Sequence, residues 1–269
     1  EEIKGVIHGV EFLRSAGSAN KPKVENKVIV IGGGNVAVDV ARTALRLGAT
    51  QVEMVCLEGA NEMPAYKEEI EATLAEGIKI RNGWGPKRVL GENTAKGIEF
   101  KRCTKVFDDQ KRFRPVFDEN ELMTVDADQI IIAIGQMTDE QFVGHIGVEN
   151  NRGFFKADPI TGQTSIEDVF AGGDNASGPA AVIDAVAAGK RVAESIERFL
   201  TDKEMLTNRF EENLKPLSED LLPETEDVEE KARPHPEELT PAKRLLNFEE
   251  VEKGLTEAQA LAEAERCLN

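Results

Sequence analysis

The stretch that decides the fold is Val-Ile-Val-Ile-Gly-Gly-Gly-Asn-Val-Ala-Val-Asp-Val-Ala-Arg-Thr, residues 28–43. A run of β-branched residues meets three glycines and continues as a helical pattern, which predicts a strand, a tight turn and a helix. Gly32, Gly34 and Ala37 fit the pattern G-x-G-x-x-G/A of dinucleotide sites. In that pattern the first glycine makes the turn, the second lets a pyrophosphate approach the backbone, and the third position packs helix on strand.

The helix that starts near Asn35 is expected to point free N–H groups and its positive dipole end at the phosphates. Gly33, Asn35 and Val36 therefore join the predicted cofactor site. The surrounding pattern supports this interpretation, because strands and helices alternate as in a βαβαβ unit with a parallel sheet. The predicted strands are Lys27–Ile31, Gln51–Leu57 and Ile78–Arg81, and the predicted helices are Val36–Leu47 and Tyr66–Glu76.

Later segments predict different structure. Short alternating runs over Lys87–Leu90, Gly97–Thr104 and Glu121–Val125 are typical of an antiparallel meander, and Asp126–Gly135 returns to a buried strand. A new unit starts near Asn150. It is expected to hold short strands over Gly153–Lys156 and Asp168–Ala171 and a helix over 180–200, and the tail is expected to form helices over Phe248–Glu252 and Glu257–Cys267.

Composition excludes several classes of protein. No apolar run approaches the ~20 residues of a membrane span. The three cysteines lack a C-x-x-C pair, which indicates a reducing, cytoplasmic setting without a disulfide framework. A formal charge of −17 argues against nucleic acid as a partner. Residues 201–269 carry 19 acidic and 9 basic residues, and we interpret them as a solvated extension in preference to an acidic docking surface.

Two motifs together resemble the glutamate synthase small-subunit family. The first is the glycine stretch followed by Glu62-Met63-Pro64-Ala65, and the second is Ile166-Glu167-Asp168-Val169-Phe170-Ala171-Gly172-Gly173-Asp174. That family includes the flavin modules of dihydropyrimidine dehydrogenase and of NADH-dependent ferredoxin:NADP oxidoreductase. The resemblance covers roughly residues 5–200.

The resemblance implies an α/β fold. A Rossmann-like three-layer nucleotide domain with an antiparallel meander is inserted into a split FAD-binding domain of the pyridine nucleotide-disulfide oxidoreductase type, and an acidic helical tail follows. The implied divisions are a connector over 1–25, the NAD(P)H-binding domain over 26–149, the C-terminal part of the FAD-binding domain over 150–200, and a tail over 201–269 that leads toward an iron–sulfur region. The chain is expected to lack the N-terminal FAD half.

Flavin-binding residues also follow from the resemblance. Asp174, beside Gly173, is expected to bind a ribityl hydroxyl of FAD. The helix after Pro179 is expected to direct the amides of Ala181 and Val182 at the flavin pyrimidine edge. Gly135 and Gln136 resemble the family's loop near the nicotinamide. Cys267 is a candidate first ligand of a 4Fe-4S cluster.

The choice between NAD(H) and NADP(H) depends on the residues after the second strand. NADPH-using relatives resemble one another in placing paired arginines there, whereas this chain has Leu57 and Glu58. A carboxylate accepts hydrogen bonds from a ribose 2′-hydroxyl and repels a 2′-phosphate, so Glu58 favours NAD(H). Arg42, further along the first helix, keeps NADP(H) open.

These inferences predict an oxidoreductase module that transfers hydride between NAD(P)H and FAD. Electrons would pass on to iron–sulfur centres or to a ferredoxin-type partner subunit. One alternative is an FAD-independent dehydrogenase, although no convincing catalytic His, Lys or Tyr is found. A second alternative is an NAD(H)-binding regulatory or docking module that transfers no electrons.

Overall fold

The computed structural model describes residues 3–136, 138, 147–151, 153–209, 232–245 and 247–265. The chain divides into two compact units. The first comprises residues 1–134 together with 230–269, and the second comprises residues 135–229.

The first unit is built from eight strands and three helices in its N-terminal part. They are β1 Val6–His8, α1 Gly9–Ala16, β2 Lys27–Ile31, α2 Asn35–Arg46, β3 Gln51–Cys56, α3 Lys67–Ala75, β4 Lys79–Asn82, β5 Trp84–Leu90, β6 Gly97–Phe107, β7 Phe113–Asp126 and β8 Gln129–Ile132. Five strands form a parallel sheet in the order β1-β8-β2-β3-β4, and β5, β6 and β7 form an antiparallel sheet.

Alternation along β2 places its side chains in two different cores. Val28 and Val30 pack with the helices on one face of the parallel sheet, and Ile29 and Ile31 pack on the other face with residues of the antiparallel sheet, including Phe100. Successive side chains of a strand point to opposite faces, so a strand covered on both sides is apolar throughout. The result is the predicted three-layer arrangement of helices, parallel sheet and meander.

Several boundaries differ from the predicted ones. The meander strands are longer than predicted, because charged and polar residues alternate along the exposed parts of β6 and β7 and hide the pattern. The last parallel strand ends at Ile132, short of the predicted Gly135. Residues 1–25, predicted as a connector, contribute β1 and α1 to the first unit, with β1 paired to β8.

The second unit contains few regular elements. They are β9 Asn150–Asn151, β10 Phe154–Phe155, α4 Asp174–Ser177 and α5 Val182–Leu200. The strand predicted over Asp168–Ala171 is replaced by one bridge between Gln163 and Phe170. One end of α5 is exposed and apolar: Val182 is 81% and Ile183 is 70% accessible to solvent.

The tail contains α6 Pro241–Arg244 and α7 Glu257–Ala264. The prediction of a helix over Phe248–Glu252 is wrong. The segment forms no helix, and its end makes an isolated antiparallel bridge between Glu252 and Glu238. In this bridge the Leu239 amide donates to the Val251 carbonyl at 2.9 Å and the Lys253 amide to the Glu237 carbonyl at 2.8 Å. Cys267 lies outside the described residues. Within the described part of the chain, no helix combines the length and apolar character that a membrane span requires.

Candidate functional site

The glycine turn joins β2 to α2 at the carboxyl edge of the parallel sheet. Gly32 has φ +140°, and a Cβ atom there would overlap the Ala133 carbonyl oxygen and lie 2.9 Å from the Ala133 carbonyl carbon. The same Cβ would lie 3.3 Å from the Cβ of Ala37, which is fully buried. Gly32 and Ala37 therefore have the turn and packing roles that the fingerprint predicts.

Gly34 differs from Gly32 because its missing side chain faces open space. It is the N-cap of α2 with φ −92°, and the nearest atom to a Cβ there would be Cγ of Pro64 at 3.9 Å. In the described part of the chain, the backbone amides of residues 33–36 have no hydrogen-bond acceptor, as is usual for the start of a helix. Open space beside four free N–H groups is the geometry that admits a pyrophosphate.

The segment before α3 is fastened to this turn. The Ala65 amide donates to the Gly33 carbonyl at 3.2 Å, and the Tyr66 amide donates to Oδ1 of Asn35 at 2.9 Å. The Asn35 side chain therefore supports the turn, and its backbone amide remains available to a ligand. Val36 is half-buried and packs against the helical core.

Glu58, the candidate ribose-binding carboxylate, is the second residue after the end of β3. Its Oε2 is 2.9 Å from the position that a Cβ on Gly33 would take. Its carbonyl oxygen accepts the Gly83 amide at 3.1 Å, which fixes the backbone of the residue.

Arg102, which no sequence pattern indicates, places a cation beside Gly83. Gly83 has φ +76°, and a Cβ on it would lie 3.2–3.4 Å from three atoms of the Arg102 guanidinium group. The guanidinium carbon is 5.3 Å from the ring centroid of Trp84. Arg102 belongs to an ordinary-looking strand sequence, and its place next to Trp84 follows only from the pairing of β5 with β6.

Arg42 forms ion pairs with two carboxylates, one in α3 and one at the C-cap of α3. It donates to Glu69 at 2.6 Å and to Glu76 at 2.8 Å, and its side chain is only 11% exposed. It also lies about two helical turns, roughly 10 Å, from the start of α2. The structure therefore corrects the expectation that Arg42 reaches an adenosine phosphate.

Glu76 is the centre of an ion-pair cluster that the sequence did not reveal. Its fully buried side chain lies 2.8 Å from Arg42 and 2.9 Å from Arg46, and Arg244 of the tail is 3.7 Å away. Burial lowers the pKa of Arg42, but hydrogen bonds and charge from Glu76 and Glu69 outweigh burial and raise it above its ordinary value. The cluster joins α2, α3 and the tail.

Two thiols lie near this site. Burial, aided by the charge of Glu58, raises the pKa of Cys56 to about 12, and burial also raises the pKa of Cys103. Thiolate is the reactive form of cysteine, so both side chains are expected to be inert in the folded chain.

We predict that a Cys267→Ser variant shows no thiol reactive toward a disulfide reagent at pH 8 while folded, and two after unfolding in guanidinium chloride. The pKa of Cys56 is higher in the folded state than in the unfolded state. The folded thiol therefore holds its proton between about pH 9 and 12, and Cys56 makes stability fall as pH rises through that range. Rapid labelling of the native variant at pH 8 would contradict the burial of these thiols.

In the second unit, Gly173 has φ +76° and is the N-cap of the short helix α4. Asp174 follows as the first residue of α4 and is exposed. A cavity of about 230 Å³ adjoins this turn. Its lining includes Ala157, Gly162, Ala171, Gly172, Gly173 and Val192.

At the start of α5, only one of the two amides predicted to face the flavin is free. The Ala181 amide donates to Oδ2 of Asp184 at 3.1 Å, so this amide is engaged and does not point freely at a ligand. The helix begins at Val182, whose amide has no acceptor in the described part of the unit, and Pro179 is exposed. Gly135, with φ +129°, and Gln136 are exposed and follow the end of β8 by three and four residues.

Among the described residues, no group of three or more His, Cys, Asp and Glu side chains could hold a metal ion. The predicted cluster ligand Cys267 is not among them.

Curated relatives match the whole chain or most of it. The beta subunit of NADP(+)-dependent formate dehydrogenase from Moorella thermoacetica is 37% identical over 281 residues, covering 100% of this chain and 39% of that protein. The NADPH glutamate synthase small chain of Halomonas elongata is 34% identical over 181 residues, covering 65% of this chain and 38% of that protein. The chain thus spans about two-fifths of the length of these relatives.

A solved structure shares the fold at lower identity. FprA from Mycobacterium tuberculosis in complex with NADPH is 16% identical, with a TM-score of 0.57 over 75% of this chain and 60% of that one. The profile of one family, described as pyridine nucleotide-disulphide oxidoreductase, matches residues 1–189. Together with the glycine turn and the three-layer fold, this match shows that the chain belongs to the pyridine nucleotide-disulphide oxidoreductase family.

Proposed function

We propose that this chain is the nicotinamide-nucleotide module of an FAD-dependent oxidoreductase of the glutamate synthase small-subunit type. The observation that carries the proposal is the glycine turn at Gly34, where the amides of residues 33–36 have no acceptor in the described part of the chain and the side-chain position of Gly34 is open space. When bound, the nicotinamide supplies a hydride and the flavin accepts it.

The chain's own residues bind and orient the dinucleotide. The amides of residues 33–36 hold the pyrophosphate, with the positive end of α2 behind them. Glu58 accepts hydrogen bonds from hydroxyl groups of the adenosine ribose. Gly135 and Gln136 are proposed to line the nicotinamide end.

We further propose that residues 150–200 complete a FAD-binding domain whose other part is a separate stretch of polypeptide. The exposed Asp174 can accept a ribityl hydroxyl, and the free amide of Val182 can face the flavin. The exposed apolar side chains of α5 support this proposal, since such a surface is normally covered in a complete domain. They are Val182, Ile183, Val186, Ile196 and Leu200.

Electrons are proposed to leave the flavin one at a time, toward iron–sulfur centres or a partner subunit. The name of the Moorella relative, a beta subunit of formate dehydrogenase, supports a multisubunit setting. Cys267 is proposed as a first cluster ligand.

The group at the ribose 2′ position separates NAD(H) from NADP(H). Glu58 supports NAD(H), because it is the second residue after β3 and lies beside Gly33. The names of the relatives from Moorella and Halomonas, which contain NADP(+) and NADPH, support the phosphorylated dinucleotide.

Replacing Gly34 with alanine is expected to weaken NADH and NADPH binding at least tenfold, because the added methyl group fills the space that the pyrophosphate needs. A φ of −92° suits alanine, so the loss of stability should stay near the cost of a weaker N-cap, about 1 kcal/mol or less. Binding is measured by quenching of Trp84, the single tryptophan of the chain.

Gly17→Ala is the matched control. Gly17 ends α1 with φ −77°, and a Cβ there would meet nothing closer than 3.6 Å. This variant should bind both dinucleotides as the parent does. Unchanged binding by Gly34→Ala would overturn the proposed pyrophosphate site.

A second measurement distinguishes the proposed oxidoreductase from the non-enzymatic alternative, a nucleotide-binding regulatory module. In a polypeptide that also supplies the remaining FAD-binding segment, flavin absorbance should bleach on addition of NADH or NADPH. Dinucleotide binding without bleaching would favour the alternative.

A further inference from the structure

The Arg102 guanidinium is a half-buried cation that lacks an anionic partner. Within the described part of the chain, it forms no ion pair, although Lys101 beside it lies 2.6 Å from Glu119. Asp118, paired with Arg102 in the β6–β7 register, instead accepts the Asn120 amide at 2.9 Å. A partly desolvated guanidinium gains stability from an anion, and its flat fork suits phosphate.

Trp84 and Gly83 hold this guanidinium in place. The indole ring lies 5.3 Å from the guanidinium carbon, within range of a cation–π interaction. The absence of a side chain at Gly83 lets the guanidinium approach the backbone at the end of β4. The orientation of Arg102 is therefore set before any ligand arrives.

The position of Arg102 connects it to the dinucleotide site. The guanidinium lies over the position that a Gly83 side chain would take, and the amide of the same residue donates to the Glu58 carbonyl at 3.1 Å. Glu58 in turn lies beside the glycine turn at Gly33. A dinucleotide with its pyrophosphate on this turn carries its adenosine ribose to the end of β3. The 2′ substituent of that ribose therefore lies on the side of Glu58 and Gly83.

From these contacts we infer that Arg102, stacked on Trp84, binds the 2′-phosphate of NADP(H). This inference rests on the proposed function and names its dinucleotide. It replaces the preference for NAD(H), which depended on Glu58 and on the lack of arginines directly after β3. The cation comes instead from β6, and Glu58 is left to accept a ribose hydroxyl.

The test compares NADPH with NADH on the parent chain and on Arg102→Gln, using isothermal titration calorimetry and Trp84 quenching. The parent should bind NADPH at least as tightly as NADH, and it should bind 2′,5′-ADP more tightly than 5′-ADP. Arg102→Gln should lose at least tenfold in NADPH affinity and less than twofold in NADH affinity. Arg102→Lys keeps the positive charge but not the planar guanidinium. Its NADPH affinity should lie between those of the parent and of Arg102→Gln.

Arg112→Gln provides the matched control, because it removes the same charge from an exposed arginine that pairs with Asp108 in the β6–β7 turn. Its affinities for both dinucleotides should stay within twofold of the parent.

The outcomes separate this inference from the proposed function. If the parent binds NADH but not NADPH, the inference is overturned and the proposed function stands. The same holds if Arg102→Gln weakens the binding of both dinucleotides equally, or of neither. A parent that binds neither dinucleotide overturns both. If Arg102→Gln does not fold, the comparison of 2′,5′-ADP with 5′-ADP on the parent and on Arg102→Lys decides.

Discussion

Gly32→Ala is expected to lower the free energy of unfolding of the first unit by about 3–5 kcal/mol and to abolish dinucleotide binding. Two costs add at this position. The backbone, with φ +140°, is strained for any residue with a Cβ atom, and the new methyl group would overlap the Ala133 carbonyl oxygen. Because Ala133 follows directly after β8, neither backbone can move without disturbing the pairing of β2 with β8.

Gly48→Ala separates the two costs. Gly48 has φ +105° at the other end of α2, and a Cβ there would meet nothing within 4 Å. Its cost should therefore be the backbone strain alone, about 1–2 kcal/mol. Denaturant unfolding followed by Trp84 fluorescence reports on the first unit, which contains this tryptophan. If the two variants lost equal amounts of unfolding free energy, the backbone after β8 would move at little cost, and the Ala133 carbonyl would not restrict the turn.

The parts of the fold that sequence predicts are those with local causes. The β-branched run of β2, the spacing of Gly32, Gly34 and Ala37, and the return of apolar residues at β3 all lie within 30 residues. Strand period and glycine spacing are properties of neighbouring residues, and they predicted the parallel sheet and the glycine turn.

The missed parts depend on contacts between distant residues. Nothing near Arg42 shows that Glu69 and Glu76 will take its donors, because that contact requires α2 and α3 to pack side by side. Arg102 reaches Trp84 only through the β5–β6 register. Phe248–Glu252 has helix-compatible residues but forms no helix, because the backbone at its end bonds with the segment over 237–239.

The ion-pair cluster gives the second large expected effect: Glu76→Gln should destabilise the first unit by about 3 kcal/mol. The variant keeps the size of the side chain and removes its charge, which leaves Arg42 with Glu69 alone and Arg46 without its carboxylate. Removing one partner of a buried ion pair is costly because the remaining charge has lost its water without compensation. Trp84 fluorescence in denaturant measures the change.

Glu71→Gln on the same helix α3 is the matched control, since Glu71 is exposed and lies 3.8 Å from Lys67. An exposed pair of this kind contributes at most about 1 kcal/mol, so this variant should unfold almost as the parent does. The tail supplies a second readout. Arg46 also donates to the Arg244 carbonyl at 3.2 Å, so loss of Glu76 should speed tryptic cleavage after Arg244 in the Glu76→Gln variant only. If Glu76→Gln and Glu71→Gln proved equally stable and equally resistant to trypsin, the buried carboxylate would not be what fastens the tail to α2 and α3.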